Sequence, residues 1–249
     1  MLLFIDKVKD FILDILFPPI CVNCKKLLDK DEQIVCRHCI SKISLNTTLF
    51  CPVCRARLAE NKKICHFDCQ YLLGAAGNYD DLILQNLIQS FKYKSVKSLA
   101  PVLSELLIKY FNSLNPLATR DLAKPDKFYI LNPSTIVVPI PLHPRRERER
   151  GFNQAKLITK NLVEKLNLEF CDALVRLKNT KSQAQARDTE ERAKNVKDCF
   201  KIIHPELVKE KNIILVDDVF TSGATINEAV KILKQNGAKK ILALVIAKA

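Results

Sequence analysis

Residues 213 to 225 read IILVDDVFTSGAT, and this stretch decides the fold. Four apolar residues, three of them β-branched, predict a buried parallel strand that ends in the acidic pair Asp217 and Asp218. A small, hydroxyl-bearing loop follows, Thr221, Ser222, Gly223, Ala224 and Thr225. A helix then begins, because Ala224, Ile226, Ala229, Val230 and Leu233 recur at helical spacing. Strand, tight loop and helix N-terminus together present converging backbone N–H groups, which suit a phosphate. The two carboxylates stand one step earlier, where they could hold a ribose diol or a magnesium ion. Two adjacent aspartates at the end of a buried strand are costly unless something positive faces them.

This order resembles the 5-phosphoribosyl 1-pyrophosphate (PRPP) signature of type I phosphoribosyltransferases. Two further stretches narrow the resemblance. VVPIPLHPRRERERGFNQA (Val137 to Ala155) and RLKNTKSQAQARDTEERAKNV (Arg176 to Val196) look like the other hallmarks of the ComF family of competence proteins, in the same order ahead of the PRPP motif. The departure is Ser222, where Thr is common; a hydroxyl is kept. The resemblance implies an α/β fold: a type I phosphoribosyltransferase-like domain with a parallel central sheet, preceded by a double zinc ribbon-like module. It implies PRPP binding with magnesium through Asp217, Asp218 and Thr221 to Thr225. It also implies single-stranded DNA as a partner, a role in DNA uptake during natural transformation, and association with a helicase or translocase motor.

Cysteine placement divides the chain into 1–72 and 73–249, since eight of the ten cysteines fall between Cys21 and Cys69. They form the pairs Cys21 and Cys24, Cys36 and Cys39, Cys51 and Cys54, and Cys65 and Cys69, separated by eleven, eleven and ten residues. A two-residue gap lets one knuckle aim both sulfurs at a tetrahedral metal, and two knuckles complete a site, so two structural zinc ions are expected. Sequential and interleaved pairings both fit the spacing. His38 and His66 lie inside the module but are left out of the ligand set, because every cysteine already has a partner. A disulfide scaffold would need an oxidising compartment, and the N-terminus does not read as a signal peptide. It reads as an amphipathic helix, with Phe4, Val8, Phe11, Ile12 and Ile15 on one face, ending before Pro18 and Pro19. That helix packs on its own domain or docks on a partner or membrane. With no run of eighteen apolar residues, the expectation is a cytoplasmic protein, with peripheral contact at the inner face of the membrane left open.

The 48% apolar content suffices for a core. The formal charge of +13 suggests anionic partners. Eight thiolates on two zinc ions would lower it only to about +9.

In the larger domain a short strand, GAAGNY, precedes two helical stretches, and Thr135 to Leu142 makes the next strand. The following segment carries Arg145, Arg146, Arg148 and Arg150, whose forks suit pyrophosphate or DNA phosphate, before a helix begins near Asn153. Arg176 to Val196, with Lys181 and Arg187, resembles the loop that closes over PRPP. In FKYKSVK, Lys92, Tyr93 and Lys94 interleave cations with an aromatic and are candidates for single-stranded DNA.

A DNA-uptake factor is the first reading. The alternative is an active phosphoribosyltransferase that transfers phosphoribose from PRPP to a nitrogen nucleophile. In purine-salvage members of that class an Asp occupies the position of Thr221, and threonine does not titrate near neutral pH, which disfavours 6-oxopurine salvage. No catalytic residue is assigned from the sequence.

Overall fold

The computed structural model describes residues 18–58, 65–66, 68–114, 131–179 and 196–249. The N-terminal amphipathic helix, Lys181 and Arg187 lie outside them.

The described chain runs α1 (Arg37–Ser41), β1 (Leu49–Phe50), β2 (Arg57–Leu58), β3 (Leu72–Asn78), α2 (Leu82–Tyr93), α3 (Leu99–Leu114), β4 (Thr135–Pro139), α4 (Pro144–Arg150), α5 (Gln154–Leu166) and β5 (Glu169–Phe170). It continues with β6 (Leu174–Arg176), β7 (Phe200–Ile202), β8 (Asn212–Phe220), α6 (Ala224–Gln235) and β9 (Ile241–Lys248). Seven strands form one sheet in the order β2-β1-β3-β9-β8-β4-β5, and β6 and β7 form a separate antiparallel pair. β3, β9, β8, β4 and β5 are mutually parallel, and β1 and β2 are antiparallel additions at one edge.

The alternation of side chains along a strand explains the two cores. From β8, Ile214 and Val216 point to one face, with Leu84, Leu87, Phe91, Leu103, Leu107, Ile158 and Leu162 from α2, α3 and α5. Ile213 and Leu215 point to the other, with Ile226, Ala229, Val230 and Leu233 of α6 and Phe200 of β7. A sheet covered on both faces needs continuous apolar strands, which is why β8 and β9 read as IILV and ILALVIA. Helix α2 starts where Asp81 accepts from the N–H groups of Ile83 and Leu84, and α5 where Asn153 accepts from that of Lys156.

Three differences from the sequence reading have local causes. The short strand GAAGNY is a full core strand, Leu72–Asn78, paired with β9 over most of its length. β8 does not end at the acidic pair: Asp217 pairs with Val245 and the ladder continues to Phe220 opposite Lys248. The arginine-rich segment is a helix, because His143 caps Arg145 N–H, Pro144 takes the first position, and Gly151 ends the helix at φ +78°.

Candidate functional site

A cavity of about 240 Å³ opens at the carboxyl ends of β4 and β8. Its wall is the loop from β8 to α6. Asp217 and Asp218 are held by the strand, and the Asp218 N–H donates to Asp217 Oδ1 at 2.8 Å. Thr221 and Ser222 make the turn and Gly223 enters α6 at φ +80°. The residue must be glycine for two reasons: that φ strains any L side chain, and a Cβ would lie 2.6 Å from the Phe220 ring. N–H groups in the first turn of a helix lack intrahelical acceptors, and here they belong to residues lining the cavity. All seven residues of the predicted PRPP motif line it.

The acidic pair has its positive partner. Lys92, near the end of α2, places Nζ 2.7 Å from Asp218 Oδ1, both side chains being largely buried. Burial lowers the Lys92 pKa, but the charge and hydrogen bond of Asp218, together with Asp217, leave it above the ordinary lysine value. Burial and the neighbouring Asp218 charge push the Asp217 carboxyl up to about 7, against the opposing pull of Lys92. One carboxylate is thus ion-paired and the other is poised to exchange a proton near neutrality.

Opposite stand three guanidinium groups. Arg146 and Arg150, one turn apart on α4, line the cavity, and Arg176 reaches it from β6, where it lies over the Phe200 ring at 5.4 Å. Burial lowers the pKa of Arg146, and the charges of Arg176 and Arg150 lower it further. Guanidinium groups crowd together in this way where an anion is to be met. Arg150 also donates to Gln154 Oε1 at 3.0 Å and stacks over Tyr93 at 5.4 Å. Gln154 is 1% exposed, and its Nε2 is buried with no hydrogen-bond partner within the described residues. An orphaned donor beside a cavity wants an acceptor from a ligand.

Helical spacing divides the four predicted arginines. Arg145 and Arg148 are exposed, the former paired with Glu149 at 3.1 Å, so only Arg146 and Arg150 join the cavity. The three DNA candidates also separate. Lys92 points inward onto Asp218, which makes it part of the acidic site and not of a solvent-facing nucleic-acid surface; Tyr93 flanks the cavity under Arg150; Lys94 is exposed. Sequence reasoning did not single out Arg176 or Gln154. Both stand inside the quoted hallmark segments, but nothing in their spacing marks them as cavity residues.

The cysteine module pairs sequentially. The ligand atoms of Cys21, Cys24, Cys36 and Cys39 lie within 4.8 Å of one another, with sulfur separations of 3.9 Å for Cys21 and Cys39 and 3.6 Å for Cys24 and Cys36. A tetrahedral zinc–thiolate site spaces its sulfurs at about 3.8 Å. Burial raises the Cys21 pKa, but the backbone N–H groups of Cys36, Cys24 and Asn23 outweigh it and bring the thiol down to about 6. The second group is Cys51, Cys54, Cys65 and His66, with Cys69 Sγ 4.0 Å from Cys51 Sγ. His66, left out of the expected ligand set because every cysteine already had a partner, places Nδ1 3.4 Å from Cys51 Sγ, so five donors surround the second position.

The module is tied to the sheet. The knuckle of Cys51 and Cys54 is the turn between β1 and β2, and Phe50 pairs with Leu73. The first cysteine group shares the core beneath α2.

Residues 152–249 match the family model described as the phosphoribosyl transferase domain, and residues 12–70 match that of the double zinc ribbon domain. The competence protein ComFC of Bacillus subtilis (strain 168) is 33% identical over 218 residues, covering 85% of this chain and 82% of its own. This chain belongs to the ComF family. Two more distant relatives of the family span nearly all of it. The DNA utilization protein YhgH of Escherichia coli (strain K12) is 28% identical over 90% of this chain and 94% of its own. Competence protein F of Haemophilus influenzae (strain ATCC 51907 / DSM 11121 / KW20 / Rd) is 27% identical over 92% and 96%. The ComF assignment thus carries the expected architecture, a phosphoribosyltransferase-like α/β domain preceded by a double zinc ribbon. Among the described residues, no helix is long and apolar enough to cross a membrane.

Proposed function

We propose that this protein binds PRPP with magnesium in the cavity and handles single-stranded DNA during DNA uptake. The observation that supports it best is the convergence of Arg146, Arg150 and Arg176 on a cavity whose other walls are the Thr221 to Thr225 loop and the acidic pair. The loop and the start of α6 would take the 5-phosphate, and Asp217 and Asp218 the ribose diol or the magnesium ion. Arg146, Arg150 and the orphaned Gln154 Nε2 would take the pyrophosphate. Magnesium supplies charge neutralisation for the pyrophosphate. The DNA role rests on the names of the relatives, competence protein and DNA utilization protein, and on the basic charge. A motor protein of the uptake machinery is the expected companion and the cytoplasm the expected place of work, with peripheral contact at the inner face of the membrane left open.

Titration calorimetry with PRPP and magnesium, followed by an oligonucleotide of about thirty bases, tests the reading. For about four to six neutralised phosphates, log affinity for the strand falls against log salt with a slope of roughly −3 to −4. Absence of both PRPP heat and salt-sensitive strand binding rejects it.

The second reading, transfer of phosphoribose to a nitrogen nucleophile, is favoured by Asp217, whose carboxyl at about 7 is suited to accept a proton. Pyrophosphate release on adding a nitrogen nucleophile would move it to first place.

A further inference from the structure

Arg55 follows the last cysteine of the third knuckle, held at φ +60° in a turn where its N–H donates to Cys51 O at 2.8 Å. Its side chain leaves the cysteine module altogether. The guanidinium donates to Thr221 O at 2.6 Å and to Ala249 O at 2.8 Å, and lies 5.9 Å over the Phe220 ring. Ala249 N–H in turn donates to Phe220 O at 2.9 Å, so Arg55 closes a bracket across the carboxyl ends of β8 and β9. Thr221 is the first residue of the phosphate-type loop, and the Phe220 ring is the surface on which Gly223 rests.

A second contact runs parallel. Tyr71, just before β3, donates its hydroxyl to Asn227 Oδ1 at 2.6 Å, in the first turn of α6. Beside the Tyr71 contact lies a groove of about 410 Å³ bounded by Pro52, Val53, Tyr71, Ser222 and Asn227. Ser222 lines both this groove and the cavity, so the loop is a thin wall with a ligand space on one side and the cysteine module on the other.

We infer that Arg55 is a positioning residue for the phosphate loop, and that metal loading of the second cysteine group sets the order of the loop through it. The αL turn that aims Arg55 is the knuckle turn itself, and the sulfurs of Cys54 and Cys65, 3.3 Å apart, are close enough for one metal to tie them. Without that tie the turn is free to open, the two guanidinium bonds are lost, and the carbonyl of Thr221 loses its anchor. Ligand affinity then falls because the loop must be ordered at the moment of binding. This last step rests on the loop being the PRPP site; the loop's order does not.

The test compares full-length, zinc-loaded wild type with Arg55→Asn, chosen because asparagine tolerates the left-handed backbone while removing the guanidinium. Hydrogen–deuterium exchange is read without ligand on the amides that bracket the loop, Asn227 N–H on Gly223 O and Ala249 N–H on Phe220 O, with α3 as the control. The variant should exchange these amides about ten-fold faster, the scale of one charge-assisted hydrogen bond at an exposed site, while zinc content and exchange in α3 stay as in wild type. Arg55→Lys, which restores one of the two contacts, should fall between. Chelating the zinc of wild type should loosen the loop to the level of Arg55→Asn, and chelating the variant should add nothing further. Loop exchange in Arg55→Asn equal to wild type overturns the inference, as does equal loosening of both proteins by chelation. If chelation also releases α3, the whole fold has opened and the metal-loaded comparison decides alone. PRPP affinity should fall about five-fold in Arg55→Asn, as expected for a loop that must be ordered on binding. No PRPP binding by wild type would defeat the ligand assignment, while the ligand-free exchange would still decide the role of Arg55.

Discussion

Lys92 Nζ stands 2.7 Å from Asp218 Oδ1, joining the end of α2 to the acidic end of β8 inside the protein. The contact spans 126 positions of sequence, and it neutralises a carboxylate that a buried strand could not otherwise carry. Lys92→Met should lower stability by about 3 kcal/mol, since it leaves Asp218 uncompensated. Adding Asp218→Asn should return most of the loss. Urea denaturation of the two single variants and the double variant measures it, and additive losses would show that the pair is not coupled.

The raised Asp217 carboxyl gives a pH signature. Its folded pKa, about 7, lies above the unfolded value of about 3.9, so between these limits the folded protein keeps a proton that the unfolded chain has lost. Stability therefore falls as pH rises from about 4 to 7 and levels above it. Asp217→Asn should remove that slope, matching wild type near pH 4 and exceeding it at pH 8 by about 1–2 kcal/mol, after discounting for the partly exposed edge of the side chain. Parallel stability curves for the two proteins would count against this.

Two glycines with nearly the same backbone should respond differently to alanine. Gly151 has φ +78° and its nearest prospective contacts, on Lys97, are 3.9 Å away, so Gly151→Ala should cost about 1 kcal/mol of backbone strain. Gly223 has φ +80° and a Cβ there meets the Phe220 ring at 2.6 Å, a ring that is itself 1% exposed. Gly223→Ala should cost about 2–4 kcal/mol, the backbone strain plus the displacement of a packed ring, and should weaken phosphate binding as well. Thermal unfolding of both variants gives the comparison.

The four arginines of α4 and its rim should divide into two pairs. Arg146→Ala and Arg150→Ala should each weaken PRPP by about ten-fold or more, the loss of a charge-assisted hydrogen bond in a sheltered site. Arg145→Ala and Arg148→Ala should leave PRPP affinity nearly unchanged, because both side chains face solvent. A single calorimetric series covers all four, and equal losses across the run would mean that the helix does not present one face to the ligand.

The strand and helix that build the phosphate-type loop were legible in the sequence because IILV and the α6 apolar residues each obey one local period. The knuckles were legible because each pair of thiols is local, two or three residues between its members, and four such pairs recur at even spacing. Lys92 was not, because its role depends on a partner in another element, and in FKYKSVK it cannot be told from Lys94, which is exposed. Arg145 to Arg150 looked like a loop of equivalent charges; the capping by His143 and Pro144 made it a helix, and a helix has faces. His66 was hidden by an argument from counting, whereas proximity in space adds it as a fifth donor.

The placement of β1 and β2 has a consequence for what happens when the metal is lost. β3, apolar from Leu72 to Ala76, is flanked by β9 on one side and by the short hairpin on the other. Remove the hairpin and β3 loses its partner at Leu73, the end of the strand that Asn46 and Tyr110 do not cover, and no charged residue from Leu72 to Asn78 repels a stranger. The cysteine knuckle thus holds the hairpin that covers this end of β3. Demetallated protein should gather into oligomers through that edge before its helices melt, which light scattering during chelation would register.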